Sequence, residues 1–187
     1  MINSTLTRII QTDVCEIKID YLLKPSFKII NIYMLSNLEG HKLRCSTKSE
    51  ECNAKNEILD AIESNIKNYF AKGTPLIVDT NLLLMDQISP YYRRVLEILL
   101  EKVTHGKVIT YQGLAKLTGN PKASRAVGTA MSSNPFPLLL PCHRVIKSDF
   151  SLGNYGSGVK LKLYLLEKEA GKNSFKNFSL SNKKVLL

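Results

Sequence analysis

Tryptophan is absent from this chain, histidine occurs three times and cysteine four times in 187 residues, and these scarcities exclude several classes of protein. The cysteines stand at 15, 45, 52 and 142, too few and too scattered for the disulfide framework of a small secreted domain. A reducing compartment suits them. Cys15, His41, Cys45 and Cys52 contain no Cys-x-x-Cys pair, so buried or surface thiols are expected there and no metal is assigned. No apolar run reaches the length that crosses a bilayer, and Met1 to Leu6 lacks the basic-then-apolar pattern of a secretory leader. An intracellular protein with no membrane role is the expectation. Internal repeats and low-complexity tracts are missing as well, which removes repeat architectures.

What is present is the composition of an ordinary globular chain, 44% hydrophobic and 22% charged, long enough for one core or two small ones. The net charge of +10 is unevenly placed: residues 1–85 hold 10 Lys+Arg against 10 Asp+Glu, and residues 86–187 hold 16 against 6. Such asymmetry suits a second domain that grips a polyanion, because each neutralised phosphate releases condensed counterions. Basic tails such as Lys183-Lys184 occur on proteins that never touch nucleic acid, so motifs must decide.

The pattern predicts a mixed α/β (α+β) fold in two domains. Residues 1–85 read as a small sheet-plus-helix domain. Val14 to Leu23 and Phe27 to Leu35 are strands parted by Lys24-Pro25-Ser26, and a helix over Ala54 to Ala71 carries Ile58, Ile62, Ile66, Tyr69 and Phe70 inward before Gly73. Thr74 to Ser89 fits neither period. Residues 86–187 read as mainly helical. Ser89-Pro90 caps a helix with Val95, Leu96, Leu99, Leu100 and Val103 buried. Thr110 caps a second, with Leu114, Ala115 and Leu117 inward and Gly119 past its end. Asn120-Pro121 repeats the cap signal ahead of a third helix, Ala123 to Ser132, so that the last two form a helix-turn-helix. The tail from Asn173 is polar, basic and expected to be partly disordered.

That third helix is lean in large side chains, and Gly128 inside it costs about 1 kcal/mol relative to alanine. Either a neighbouring helix packs tightly there or the helix lies against nucleic acid. Downstream, Leu138-Leu139-Leu140-Pro141-Cys142-His143-Arg144-Val145-Ile146 sets one cysteine beside a histidine. A free thiol is only a few per cent thiolate at neutral pH, so a nucleophile here needs the base His143 or the positive field of Arg144. A bare Cys-His pair is more often structural than catalytic.

Pro141-Cys142-His143-Arg144-Val145-Ile146 resembles the active-site signature of the O6-alkylguanine-DNA alkyltransferases. Gly106 to Gln112, Gly119 to Gly128, Asn134-Pro135 and Gly153-Asn154-Tyr155 follow in that family's order and spacing. The resemblance covers about Ser89 to Gly171; the first domain matches in layout and at the Tyr69-Phe70 to Gly73 helix end. It implies a carboxyl-terminal domain that enters the DNA minor groove by its helix-turn-helix and flips the damaged nucleotide. A lean helix suits a groove about 6 Å wide. Arg125 would fill the vacated stack. Tyr111 would crowd the adjoining phosphate and donate to guanine N3. Tyr92, Gln112, Asn120 and Ser148 would touch the DNA backbone. Val145, Met131, Tyr155, Gly156 and Ser157 would line the guanine pocket, and Asn134 would order the turn before Cys142.

By the same resemblance, Cys142 displaces guanine from the alkyl carbon, His143 takes the thiol proton through water, and Glu169 orients His143. Glu169 is chosen over Glu167 by spacing from Tyr155; by itself it reads as a solvated helix glutamate or a Lys pair. No cofactor is implied. The partner is double-stranded DNA containing O6-alkylguanine, with O4-alkylthymine a second substrate. The protein would act once, as a monomer, in the cytoplasm on the nucleoid or in a nucleus. Tyr155-Gly156-Ser157-Gly158 departs from the Tyr-Ser-Gly-Gly of many relatives, which bears on the size of alkyl group accepted. The rivals are a non-catalytic alkyltransferase-like damage binder, in which the nucleophile is replaced, a helix-turn-helix regulator, and a thiol hydrolase.

Overall fold

The computed structural model describes residues 5–38, 50–51 and 56–171. His41, Cys45, Cys52 and the tail from Asn173 lie outside the described residues. Contacts divide the chain between Leu84 and Met85 into two compact units.

In the first unit, strands β1 (Leu6–Gln11), β2 (Cys15–Leu22), β3 (Lys28–Ser36) and β4 (Glu50–Glu51) form a sheet of order β3-β2-β1-β4, antiparallel except for the β1–β4 pair. Period-two burial sets the register. Cys15, Ile17, Ile19 and Tyr21 of β2 are all buried, Ile17 lies between Ile10 and Met34, and Ile19 faces Ile32. An extra residue in β3, Ile30, opposes the Asp20/Tyr21 step and lets Ile29 stay buried beside Tyr21. β1 has no counterpart in the sequence reading, because Thr7 and Arg8 interrupt its apolar alternation.

Helix α1 (Glu57–Lys72) begins where Asn56 Oδ1 accepts from the Leu59 amide and ends at Gly73, whose φ of 70° closes the last turn. Its buried residues are Leu59, Ile66, Tyr69 and Phe70. Ile58, expected inward, is exposed: it lies about 100° around the helix from Leu59, which holds that place in the stripe. Arg8 of β1 donates to Asp60 at 3.1 Å and to Glu63 at 2.8 Å, tying α1 to the sheet. Leu83 bridges to Ile29 beside this sheet, after a one-turn 3-10 helix at Thr80–Leu82.

The second unit contains α2 (Pro90–Lys102), the short strand β5 (Ile109–Thr110), α3 (Tyr111–Leu117), α4 (Ser124–Ser132), β6 (Val145–Ile146) and α5 (Val159–Ala170). Helices α2, α3 and α4 pack on one another through Val95, Leu96, Leu99, Leu114, Ala115, Val127 and Ala130. Thr110 caps α3 as expected, accepting from the Gly113 amide. Three local expectations need correction. Ser89 precedes α2 without a side-chain cap bond, and Pro90 at the first position leaves that amide hydrogen absent anyway. Asn120 does not cap α4; it orders the intervening turn by accepting from the Lys122 amide, and α4 begins at Ser124. Leu117 is 48% exposed, because α3 ends there after seven residues.

β5 and β6 run parallel, with Thr110 opposite Ile146. Their ends therefore deliver Tyr111 and Lys147 side by side. Val108, Ile146, Leu152 and Leu166 form the core that seats α5 against this pair.

Candidate active site

The run Phe136, Leu138, Leu139, Leu140 is buried, and it brings the chain through the core to a single 3-10 turn, Cys142–Arg144. Asn134 holds both ends of the approach: its Nδ2 donates to the Leu140 carbonyl at 2.8 Å, and its Oδ1 accepts from the Phe136 amide at 3.0 Å. The Cys142 amide donates to the same Leu140 carbonyl at 2.8 Å. Through these bonds Asn134 orders the turn before Cys142, and it also draws the thiol pKa down.

Cys142 forms part of the wall of a cavity of about 580 Å³, within the range that takes a small ligand. Tyr111, Gly128, Met131, Asn134, Tyr155, Gly156 and Ser157 share that wall. All but Gly128 of these were nominated from sequence as site residues. Val145 differs from these: its side chain is completely buried in the core, and its carbonyl accepts from a buried lysine.

Burial pushes the Cys142 thiol above its ordinary value, while the Asn134 hydrogen bond and the charge of Lys162 pull it back. The resting form is the thiol, so a base is required. His143 is fully buried, and its Nε2 lies 2.8 Å from Glu169 Oε1. A carboxylate can only accept, so Nε2 carries the hydrogen. Burial drives the imidazole below its ordinary pKa despite the Glu169 charge, which leaves Nδ1 as a lone-pair acceptor without a hydrogen-bond partner among the described residues.

Glu169 is not solvated: its side chain is 1% exposed and pairs with His143 and Arg144. It accepts from Arg144 Nε at 2.9 Å, from Arg144 Nη2 at 3.1 Å and from the Gly106 amide at 3.2 Å. Burial works to raise its pKa, but the His143 and Arg144 interactions overcome this and hold the carboxyl well below the usual carboxylate range. Arg144, expected as a field on the thiol, is committed to Glu169 and to the Val103 carbonyl, 2.7 Å from its Nη1.

Tyr111 stands half-buried in the cavity wall. Burial and the facing Cys142 raise its pKa, so the phenol remains a proton donor. The residues nominated to touch DNA backbone spread more widely. Gln112 and Ser148 line a neighbouring cavity, Asn120 is exposed in the α3–α4 turn, and the Tyr92 ring meets Tyr91 edge-on at 6.2 Å. Arg125 is exposed on α4.

The lean helix finds its explanation in what is missing around it. A Cβ added at Gly128 meets nothing within 4 Å, so no protein neighbour requires glycine there. Close helix packing is thereby excluded for this position. Gly128→Ala is expected to stabilise the unit by about 1 kcal/mol in urea denaturation, from helix propensity alone.

Lys162 escaped the sequence reading. It is completely buried on α5, and its Nζ donates to the Val145 and Leu152 carbonyls, both at 2.6 Å. Burial lowers its pKa to about 8; a thiolate at Cys142 opposes this and the charge of Lys147 adds to it. A signal was available: Lys162 falls on the stripe of Leu165 and Leu166, where a solvated lysine has no place.

Residues 90–171 match the family model described as 6-O-methylguanine DNA methyltransferase, DNA binding domain. The methylated-DNA--protein-cysteine methyltransferase of Methanothermobacter thermautotrophicus is 39% identical over 132 residues, 71% of this chain and 70% of that protein. The rat protein of the same name is 55% identical over 84 residues, 44% of this chain. The match spans 40% of the length of the rat and human relatives. Among solved structures, the Mycobacterium tuberculosis O6-methylguanine methyltransferase superposes with a TM-score of 0.68 at 26% identity, covering 90% of this chain and 94% of that one. The M. tuberculosis OGT in complex with DNA gives 0.65 at 28% identity, over 87% and 92%.

Proposed function

The chain belongs to the methylated-DNA--protein-cysteine methyltransferase family, and from that membership we propose that it repairs DNA by moving an alkyl group from guanine O6 to its own Cys142. The observation that carries this reading is a buried thiol in the wall of a cavity roomy enough for a nucleobase, followed by a histidine whose free Nδ1 and carboxylate-bound Nε2 make it a base. The DNA partner is supported by the net charge of residues 86–187 and by the relative solved with DNA.

In the reaction, Cys142 Sγ attacks the alkyl carbon in line with the O6 bond. The S–C bond forms as the C–O bond breaks, and guanine leaves with the electron pair. The thiol proton passes through water to His143 Nδ1, and guanine takes the Tyr111 proton; the imidazolium then releases its proton to solvent as the tyrosinate regains one, so the protons balance. Glu169 fixes the imidazole and offsets the charge it acquires. The thioether is not opened by thiol exchange, so each molecule acts once. O4-alkylthymine presents the same alkyl–oxygen bond and is included as a substrate. A monomer suffices, because every group in this sequence comes from residues 106–169 of one chain.

Small side chains on α4 leave room for a minor groove, and the open side of Gly128 accommodates the extruded nucleotide. The alkyl-accepting wall at Tyr155, Gly156 and Ser157 sets the size of group tolerated.

Duplex DNA with a labelled O6-methyl group tests the reading. Label should accumulate on protein to about one equivalent per molecule, as single turnover requires, and should vanish with Cys142→Ala while persisting with Cys15→Ala. Release of label to solvent, or retention on Cys142→Ala, rejects it.

A further inference from the structure

Of the described residues that line the cavity, Lys147 alone is charged. It is exposed, at the open edge, and among the described residues no carboxylate lies within ion-pair distance of its ammonium. Asp149 is the nearest acid in sequence; the Ser151 amide at 2.9 Å and hydroxyl at 2.7 Å engage it, and the Lys147 charge acts on it without an ion pair forming.

The placement of Lys147 is fixed by backbone. It follows Ile146 in β6 as Tyr111 follows Thr110 in β5, and those strands are parallel with Thr110 opposite Ile146. Its own amide donates to the Ser151 carbonyl at 2.9 Å, and its carbonyl accepts from Phe150 at 3.0 Å, so a tight turn pins both sides. Phe150 anchors that turn against the core of Val108, Ile146, Leu152 and Leu166. The lysine stem then crosses Gly153. A Cβ there would lie 3.4 Å from Lys147 Cγ, 3.7 Å from Lys147 Cε and 3.6 Å from the Tyr111 hydroxyl. The stem and the phenol thus lie within ordinary contact range of one point at the cavity edge.

A nucleobase is neutral and offers this ammonium no counter-charge, whereas the nucleotide that carries the base into the cavity brings a phosphate through its open side. On the reading that the cavity receives an extruded nucleotide, we propose that Lys147 binds the phosphate flanking that nucleotide, with Tyr111 beside it. Ligands commonly sit beyond the carboxyl ends of parallel strands, where both residues emerge. Lysine suits the task as a point charge on a flexible stem. Such a contact positions the strand and reads no sequence.

The test compares Lys147→Gln, Lys147→Arg and wild type on two substrates: duplex DNA containing O6-methylguanine, and free O6-benzylguanine, which has no phosphate. Lys147→Gln is expected to lower the ratio of duplex to free-base rate about tenfold and to reduce the salt slope of duplex binding by about one. Lys147→Arg should restore most of both. A ratio within about twofold of wild type with an unaltered salt slope overturns the proposal, as does an equal loss on both substrates. If wild type transfers no label from duplex, the alkyl-transfer reading fails, and the salt slope of duplex binding by Lys147→Gln still decides the phosphate contact.

Discussion

Replacing Glu169 by alanine should destabilise the second unit by about 3–5 kcal/mol, the cost of leaving a buried charge without its partner. Arg144 is 7% exposed and would keep only the Val103 carbonyl, while the Gly106 amide and His143 Nε2 would lose their acceptor. Urea denaturation measures the loss, and a change below about 1 kcal/mol would mean that water replaces the carboxylate. Glu169→Gln keeps one acceptor oxygen and should fall between. Alkyl transfer should drop by about 10²-fold in either variant, because the general base loses its orientation.

The same network sets an acid limit. Glu169 has a folded pKa below its ordinary 4.5, so its contribution is fully present above that value and is lost as pH falls through the lower folded value. His143 has a folded pKa below its ordinary 6.5, so the unfolded chain binds its proton first and stability declines as pH falls below 6.5. Wild type should therefore weaken in two stages on acidification, and Glu169→Ala should lack the lower one.

Lys162→Met should reduce alkyl transfer far more than it reduces stability. Removing the ammonium relieves the cost of a buried charge but orphans the Val145 and Leu152 carbonyls, and these effects oppose each other. The thiol loses the positive charge that offsets its burial. The thiol pKa should therefore rise further, and the thiolate fraction near neutral pH should fall. The rate–pH profile of Lys162→Met should accordingly move to higher pH. A lower rate with the profile in place would assign Lys162 to carbonyl anchoring alone.

Much of the site was legible in the residue order, since Pro141-Cys142-His143-Arg144 and the Gly106–Gln112 and Gly119–Gly128 segments are contiguous motifs. Strand and helix periods located β2, β3, α1, α2 and α3 for the same reason: burial on one face is written locally. Thr7 and Arg8 hid β1, because their partners, Asp20 and the pair Asp60 and Glu63, lie 13 to 55 residues away.

By itself, the sequence determined Cys142 as the candidate acceptor, His143 as its base, a basic second domain and a lean helix, all properties of neighbouring residues. The tertiary structure alone decided the rest. It carried Glu169 across 25 residues to Arg144, turned Lys162 from a helix lysine into a buried ammonium whose charge acts on the thiol, and set Lys147 beside Tyr111. Charge pairing and desolvation depend on distance through space, and that distance exists only once β5, β6 and α5 have packed.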